Sequence, residues 1–185
     1  MKDNNNLPWG VLTGIRPSKI AAKLILGGMS ERDAAQYFVD NYNASPSKGA
    51  LATEVAAVEI PIIENMMSDG VSIYIGIPFC PTRCWYCSFV TCGTKQAARL
   101  SDKYCEMLKR EISYTAEIIR HNNSKIETVY IGGGTPTTLS ADKLDELLVH
   151  IYREFDMSHC REFTVEAGRP DTVDRDKLET LKKHK

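Results

Sequence analysis

Three cysteines, Cys80, Cys84 and Cys87, stand in the run Tyr74-Ile-Gly-Ile-Pro-Phe-Cys80-Pro-Thr-Arg-Cys84-Trp-Tyr-Cys87, spaced C-x3-C-x2-C. A loop this short can wrap three corners of a cubane iron–sulfur cluster and leaves no neighbouring cysteine for the fourth. A cube held by three thiolates keeps one iron open for chemistry, whereas four thiolates make an electron store. The open iron could chelate a small molecule through an amine and a carboxylate. Two other readings stand beside this one: a zinc site and plain buried thiols. Zinc usually draws further ligands from a second paired knuckle, and no C-x2-C follows Cys92 to make one.

The remaining candidates are weaker. Cys105 falls on the apolar stripe of a helical pattern and reads as a core thiol. Cys160 reads as core or surface, and Cys92 as a spare ligand, a redox thiol or neither. The histidines at 121, 150, 159 and 184 have no partner at metal-site spacing and read as solvated. Gly132, Gly133 and Gly134 remove side chains where backbone must approach a ligand, and Thr135 adds a hydroxyl. The run lacks the lysine-serine/threonine ending of a phosphate loop.

The elements that must position these groups follow from periodicity. Residues 1–70 read as a helical region. Pro17 opens a run closed by Gly27-Gly28, and Ser30 with Asp33 marks a second helix start. A third helix is expected from about Lys48 to Glu59, ended by Pro61. From Gly70 the pattern alternates. Val71–Ile77, Glu127–Ile131 and Phe163–Ala167 read as strands, being rich in β-branched and aromatic residues. Residues 95–121 carry a helical stripe through Leu100, Tyr104, Leu108, Ile112 and Ile119. Ser140 caps a helix bearing Leu144, Leu147, Leu148 and Ile151, and Asp174 caps a last one. A β-α-β-α-β-α order predicts an α/β fold with a parallel sheet. Ligands of such sheets bind at the C-terminal strand ends. The cysteine loop, the glycine run and Glu166 all fall there. Alternation turns Tyr74, Gly76 and Pro78 one way and Ile73, Ile75 and Ile77 the other.

Bulk properties set the class. The 185 residues are 43% apolar and 25% charged, with net charge −1, ordinary values for a soluble globular domain. The charge balance argues against nucleic acid as a partner. No apolar run nears the ~20 residues of a membrane span, and no apolar signal core follows the polar start at 1–6. A cytoplasmic protein with reduced thiols is the expectation.

The cysteine motif after one strand and the glycine run after the next resemble the radical S-adenosylmethionine (SAM) superfamily. The likeness is closest to the oxygen-independent coproporphyrinogen III oxidase and coproporphyrinogen dehydrogenase type. It rests on Tyr74-Ile-Gly-Ile-Pro-Phe-Cys80, Tyr130-Ile-Gly-Gly-Gly-Thr-Pro-Thr137 and Thr164-Val-Glu-Ala-Gly-Arg-Pro-Asp-Thr172. Leu7-Pro-Trp-Gly and Leu12-Thr-Gly-Ile-Arg-Pro17 resemble the pre-barrel region of the dehydrogenase branch. The resemblance implies that Cys80, Cys84 and Cys87 hold a [4Fe–4S] cluster. It also implies that Tyr74, Tyr86, Gly133, Gly134, Thr135 and Glu166 contact SAM. The cluster would pass one electron to SAM, giving methionine and a 5′-deoxyadenosyl radical that abstracts a substrate hydrogen. The implied oxidoreductase serves porphyrin and haem biosynthesis, turning two propionates of the tetrapyrrole coproporphyrinogen III into vinyls. A reduced flavodoxin- or ferredoxin-type protein would supply the electron. No catalytic side chain is assigned. Haem-carrier relatives share the motif, and a non-catalytic metal-binding fragment is a third reading.

Two departures qualify the match. Gly76 stands where the oxidase branch has histidine, although the dehydrogenase-type branch tolerates glycine there. The family barrel has about six β/α units and about three are visible. The expectation is therefore a partial (β/α) radical-SAM barrel over 71–185, preceded by a small helical segment over 1–70. Such a truncated product, split-gene piece or fragment would leave an open sheet edge. It is expected to be marginal or self-associating when alone, and inactive.

Overall fold

The computed structural model describes residues 7–89 and 91–184. They fall into two compact units that part between Met66 and Met67. The polar start at 1–6 lies outside the described residues.

The first unit is helical: α1 (Pro17–Leu26), α2 (Glu31–Tyr42) and α3 (Pro46–Glu64). Pro17 and Pro46 each sit in the first turn, where proline's missing N–H costs nothing. Ser30 caps α2 by accepting from the Asp33 N–H at 3.1 Å. Ala21, Phe38, Ala52 and Ala56 are buried where the three helices meet. Gly49 lets α3 approach α2 closely, since a Cβ there would lie 2.4 Å from the Ala35 carbonyl oxygen. The third helix differs from the expectation. It starts at Pro46 and runs through Pro61 to Glu64. Only one further turn follows Pro61, so the lost hydrogen bond falls where the helix is ending anyway.

The second unit alternates strand and helix: β1 (Gly70–Ile77), α4 (Thr94–His121), β2 (Lys125–Gly133), α5 (Ala141–Glu154), β3 (Glu162–Val165) and α6 (Arg175–Lys183). The strands form a parallel sheet in the order β1-β2-β3. One face is apolar and covered by the helices. Ile75, Ile77, Val129 and Ile131 are buried there against Leu108, Ile112 and Ala116 of α4 and Leu144, Leu147, Leu148 and Ile151 of α5. The stripe of α4 runs through Ser101, Cys105, Leu108, Ile112 and Ala116, while Leu100 is exposed. Cys105 is a core thiol, and burial pushes its pKa up.

The register shifts by one residue between Val71 and Ser72, so Glu127 is the extra residue on β2. Glu127 is buried, and its Oε1 accepts from the Met67 N–H at 2.9 Å and pairs with Arg161 at 3.0 Å. That end of the sheet is the one opposite the cysteine loop. The other face of the sheet is polar and aromatic, with Tyr74 beside Tyr130 and Thr164 in register.

β2 is longer than periodicity suggests, because the ladder continues into the glycine run. β3 is shorter and stops at Val165, leaving Glu166 just beyond it. The Glu166 N–H still donates to the Ile131 carbonyl at 2.9 Å, so its place is set by the ladder.

Ile131 is fully buried at the centre of the sheet. Ile131→Ala is expected to cost about 3 kcal/mol of the unit's stability, from lost transfer energy and a residual cavity. The check is a urea titration, with a lower midpoint and an unchanged slope.

Candidate functional site

The cysteine loop leaves β1 at Ile77 and is pinned at its base. The Cys92 N–H donates to the Pro78 carbonyl at 2.7 Å, and the Cys80 N–H donates to the Cys92 carbonyl at 3.0 Å. Phe79 anchors the loop to the core, being buried and edge-on to Tyr104 at 5.2 Å. The Tyr104 hydroxyl donates to the Gly76 carbonyl, which fixes the end of β1 from the helix side.

The glycine run closes onto this loop. Gly133 has φ +103°, a conformation that glycine adopts without strain. A Cβ on Gly134 would lie 2.6 Å from the Phe79 carbonyl oxygen, so no side chain fits there. The Gly134 N–H donates to the Ile77 carbonyl and the Thr135 N–H to the Phe79 carbonyl, both at 2.8 Å. Buried Thr135 thereby stands with its Oγ1 3.4 Å from the Cys80 sulfur.

The result is a cavity of about 610 Å³ at the C-terminal ends of the strands. Cys80, Cys84, Cys87, Tyr86, Gly133, Gly134, Thr135 and Glu166 all line it. Tyr74 does not. It is exposed on the polar sheet face and stacks on Tyr130 with centroids 5.8 Å apart and planes 10° apart. Tyr130 links it to the site, because its hydroxyl donates to Glu166 Oε1. That hydrogen bond to a carboxylate, with desolvation added, pushes the Tyr130 phenol pKa up. In the sequence Tyr130 only opens the glycine motif, and its side chain gains a role from the register that sets it beside Tyr74.

Arg169 also lines the cavity, and periodicity offers it no role. Its guanidinium grips Asp171 and reaches across to Thr82 and Cys84 in the cysteine loop. The Asp171 carboxyl is held below the usual aspartate range by the Arg169 hydrogen bond.

The donor set fits an iron–sulfur cube. All three thiols are free and half-buried, and they face one cavity. Thiolates are the soft ligands that such clusters take. Among the described residues no three histidine, cysteine or acidic side chains converge as on a single metal ion. A cube takes one thiolate per iron, so three cysteines would hold three of its irons. Cys92 is half-buried against the core and does not line the cavity. Cys160 packs against the core, with its sulfur 3.2 Å from the Glu162 carbonyl.

Two histidines are bound within the helical layer rather than solvated. His150 lies 3.0 Å from the Ser113 hydroxyl and 2.8 Å from the Lys109 carbonyl. His184 pairs with Asp145 at 2.6 Å and stacks on Tyr152. Helix packing holds both, and neither approaches the cavity. No described helix is long and apolar enough to cross a membrane.

Known proteins resemble this chain. The oxygen-independent coproporphyrinogen-III oxidase-like protein HemZ of Bacillus subtilis is 38% identical over 179 residues, covering 95% of this chain and 36% of that protein. The haem chaperone HemW of Lactococcus lactis is 39% identical over 110 residues, covering 59% of this chain and 27% of that one. Among solved structures, the coproporphyrinogen III oxidase HemN of Escherichia coli, described as a radical SAM enzyme, matches with a TM-score of 0.51 and 26% identity. That match covers 61% of this chain and 25% of the other. The chain thus spans about a third of the length of the curated relatives it matches. The α/β fold with its three parallel strands is the partial barrel of that structure. The family model for the radical SAM superfamily matches residues 74–185, from the strand before the cysteine loop through the last helix, and the chain belongs to that superfamily.

Proposed function

We propose that this chain forms the cluster- and SAM-binding part of an oxidoreductase of the oxygen-independent coproporphyrinogen III oxidase or dehydrogenase type. One observation carries the reading. Three free thiols, Gly133, Gly134 and Glu166 line a single cavity at the C-terminal strand ends. The likeness to the oxidase-like protein of Bacillus subtilis over 95% of the chain supports the tetrapyrrole class of substrate. Cys80, Cys84 and Cys87 would hold a [4Fe–4S] cluster, and SAM would occupy its open iron. Such a cluster would supply the one electron that breaks a carbon–sulfur bond of SAM.

The chain's own residues divide the remaining work. The backbone N–H and C=O of Gly133 and the C=O of Gly134, with the Thr135 hydroxyl, offer hydrogen bonds to the amino-acid end of SAM, while the Gly134 N–H holds the loop. Glu166, held by Tyr130, offers a fixed carboxylate acceptor. Tyr86 is exposed at the cavity wall and offers an aromatic surface to the adenosyl part. Tyr74 would extend that wall along the open sheet face through its stack on Tyr130. The electron would come from a reduced flavodoxin- or ferredoxin-type protein. A reducing, cytoplasmic setting suits six free cysteines.

A second reading is a haem carrier, favoured by 39% identity to a haem chaperone over 110 residues. The two separate by binding. A carrier takes up haem stoichiometrically and decarboxylates nothing.

Anaerobic reconstitution with iron and sulfide tests the proposal. The expected product shows a [4Fe–4S]⁺ electron paramagnetic resonance signal that shifts on adding SAM. No cluster, or one indifferent to SAM, overturns the reading. Cys84→Ala is expected to lose the cluster, because two thiolates do not hold the cube.

Gly132→Ala separates SAM binding from cluster binding. Its Cβ would lie 2.7 Å from the Tyr130 ring and 3.1 Å from the Glu166 carboxyl carbon, so both must move. Iron content is expected to stay at the wild-type level. SAM affinity, read from the titrated resonance shift, is expected to fall about tenfold, or about 1.4 kcal/mol.

A further inference from the structure

We infer that Arg169 is a positioning residue that ties the end of β3 to the cysteine loop and sets the electronic environment of the Cys84 sulfur. The inference rests on the cluster reading of the cavity and deepens it.

The guanidinium has five N–H donors in a rigid fork, and the contacts around it account for all five. Nε and Nη2 each donate to the Asp171 carboxylate at 3.1 Å, which orients the plane. Nη2 also donates to the Thr82 hydroxyl at 2.9 Å. Nη1 donates to the Thr82 carbonyl at 3.2 Å and to the Cys84 sulfur at 3.3 Å. The side chain is only 22% exposed. A surface ion pair would need Asp171 alone. This fork instead joins two segments that lie 85 residues apart in the chain and meet at the cavity wall.

The fork's own footing is rigid. The Arg169 carbonyl accepts from the Thr172 hydroxyl at 2.8 Å. Thr172 is buried, and its Oγ1 lies 2.7 Å from that of buried Thr137. The Lys177 ammonium donates to the carbonyls of Thr137 and Thr172 at 2.9 and 2.8 Å. Thr137 lies three residues after Gly134, the last of the glycine run. Arg169 is therefore held by the same backbone that forms the SAM side of the cavity, and it reaches the cluster side from there.

The electronic consequence follows from charge. A cation that donates a hydrogen bond to a ligating sulfur stabilises the more negative, reduced cluster and raises its potential. Charge-assisted bonds of this kind are about twice as strong as neutral ones. Lysine would keep the charge but not the fork. The same grip restrains the loop before any cluster is present.

Two measurements on Arg169→Gln and Arg169→Lys test this. The first is a redox titration of the reconstituted cluster without SAM. R169Q is expected to lower the reduced-to-oxidised ratio at fixed potential about tenfold, equivalent to about 59 mV for one electron. R169K is expected to lie between R169Q and wild type. Where R169Q takes up no cluster, R169K is titrated instead and is expected to shift in the same direction. The second is limited trypsin digestion of the chain without iron, following the exposed bond after Arg83. Cleavage there is expected to be severalfold faster in R169Q, while the Arg169-Pro170 bond of the wild type is a poor trypsin site.

A potential equal to wild type overturns the electronic role. A fall in SAM affinity at unchanged potential does so too, and moves Arg169 to the SAM ligands. Unchanged cleavage after Arg83 overturns the tether. A wild-type chain that takes up no iron and sulfide overturns the cluster reading by itself, and the trypsin rates then still decide the tether.

Discussion

Two hydrogen bonds hold the site together. The Gly134 N–H reaches the Ile77 carbonyl and the Thr135 N–H reaches the Phe79 carbonyl. They carry the β1–β2 ladder beyond both strands and into the loops. Without them the cysteine loop and the glycine run would be two separate excursions from the sheet edge. With them, Thr135 is brought beside Cys80 and both loops share one wall. The ladder can continue only because Gly133 adopts a left-handed conformation and Gly134 has no Cβ. Here the glycines serve approach between two backbones first, and approach to a ligand second.

The sheet supplies the second constraint through its two unlike faces. The aliphatic face is sealed by α4 and α5, which makes it the stable part of the unit. The opposite face carries Tyr74, Tyr130 and Thr164 in register, with Glu166 one step beyond. A filled barrel interior would be branched and apolar. A polar, aromatic face is suited to a ligand instead. The Tyr130–Glu166 hydrogen bond and the Tyr74–Tyr130 stack fix the orientation of a face that the helices do not pack against. Stability and function are thus separated by side-chain alternation along the same strands.

Much of this was legible in the sequence where burial is one-sided. Alternation through Ile73, Ile75 and Ile77 placed Tyr74 correctly, and the capping residues Ser30, Ser140 and Asp174 marked true helix starts. The reading failed where local rules compete with tertiary ones. Pro61 reads as a break, yet helical geometry persists for one more turn. The extra residue at Glu127 puts Ile126 and Glu127 both inside, which no strict alternation predicts. Cysteine spacing announced the loop, and the strand ends announced where it would lie. The partners of those residues were invisible for a simple reason. Tyr130 and Glu166 are 36 residues apart, and Arg169 and Cys84 are 85 apart. Contacts at such separations exist only once the sheet has set the register.

The relatives sharpen what this segment contributes. A coproporphyrinogen-III oxidase-like protein and a haem chaperone are almost equally identical to it, at 38% and 39% over their aligned lengths. Proteins named for different tasks are therefore alike to this chain to a similar degree. Function belongs to sites rather than to folds, so within this chain the informative split is between side chains that hold the loops and those that do not. The second kind face the cavity or the open sheet but do not hold the loops in place. Tyr86 fits that description, being largely exposed at the cavity wall with no part in the ladder. Tyr74 fits it too, lying on the sheet face outside the cavity. Gly134 and Thr135 do not, because changing them would dismantle the junction between the two loops.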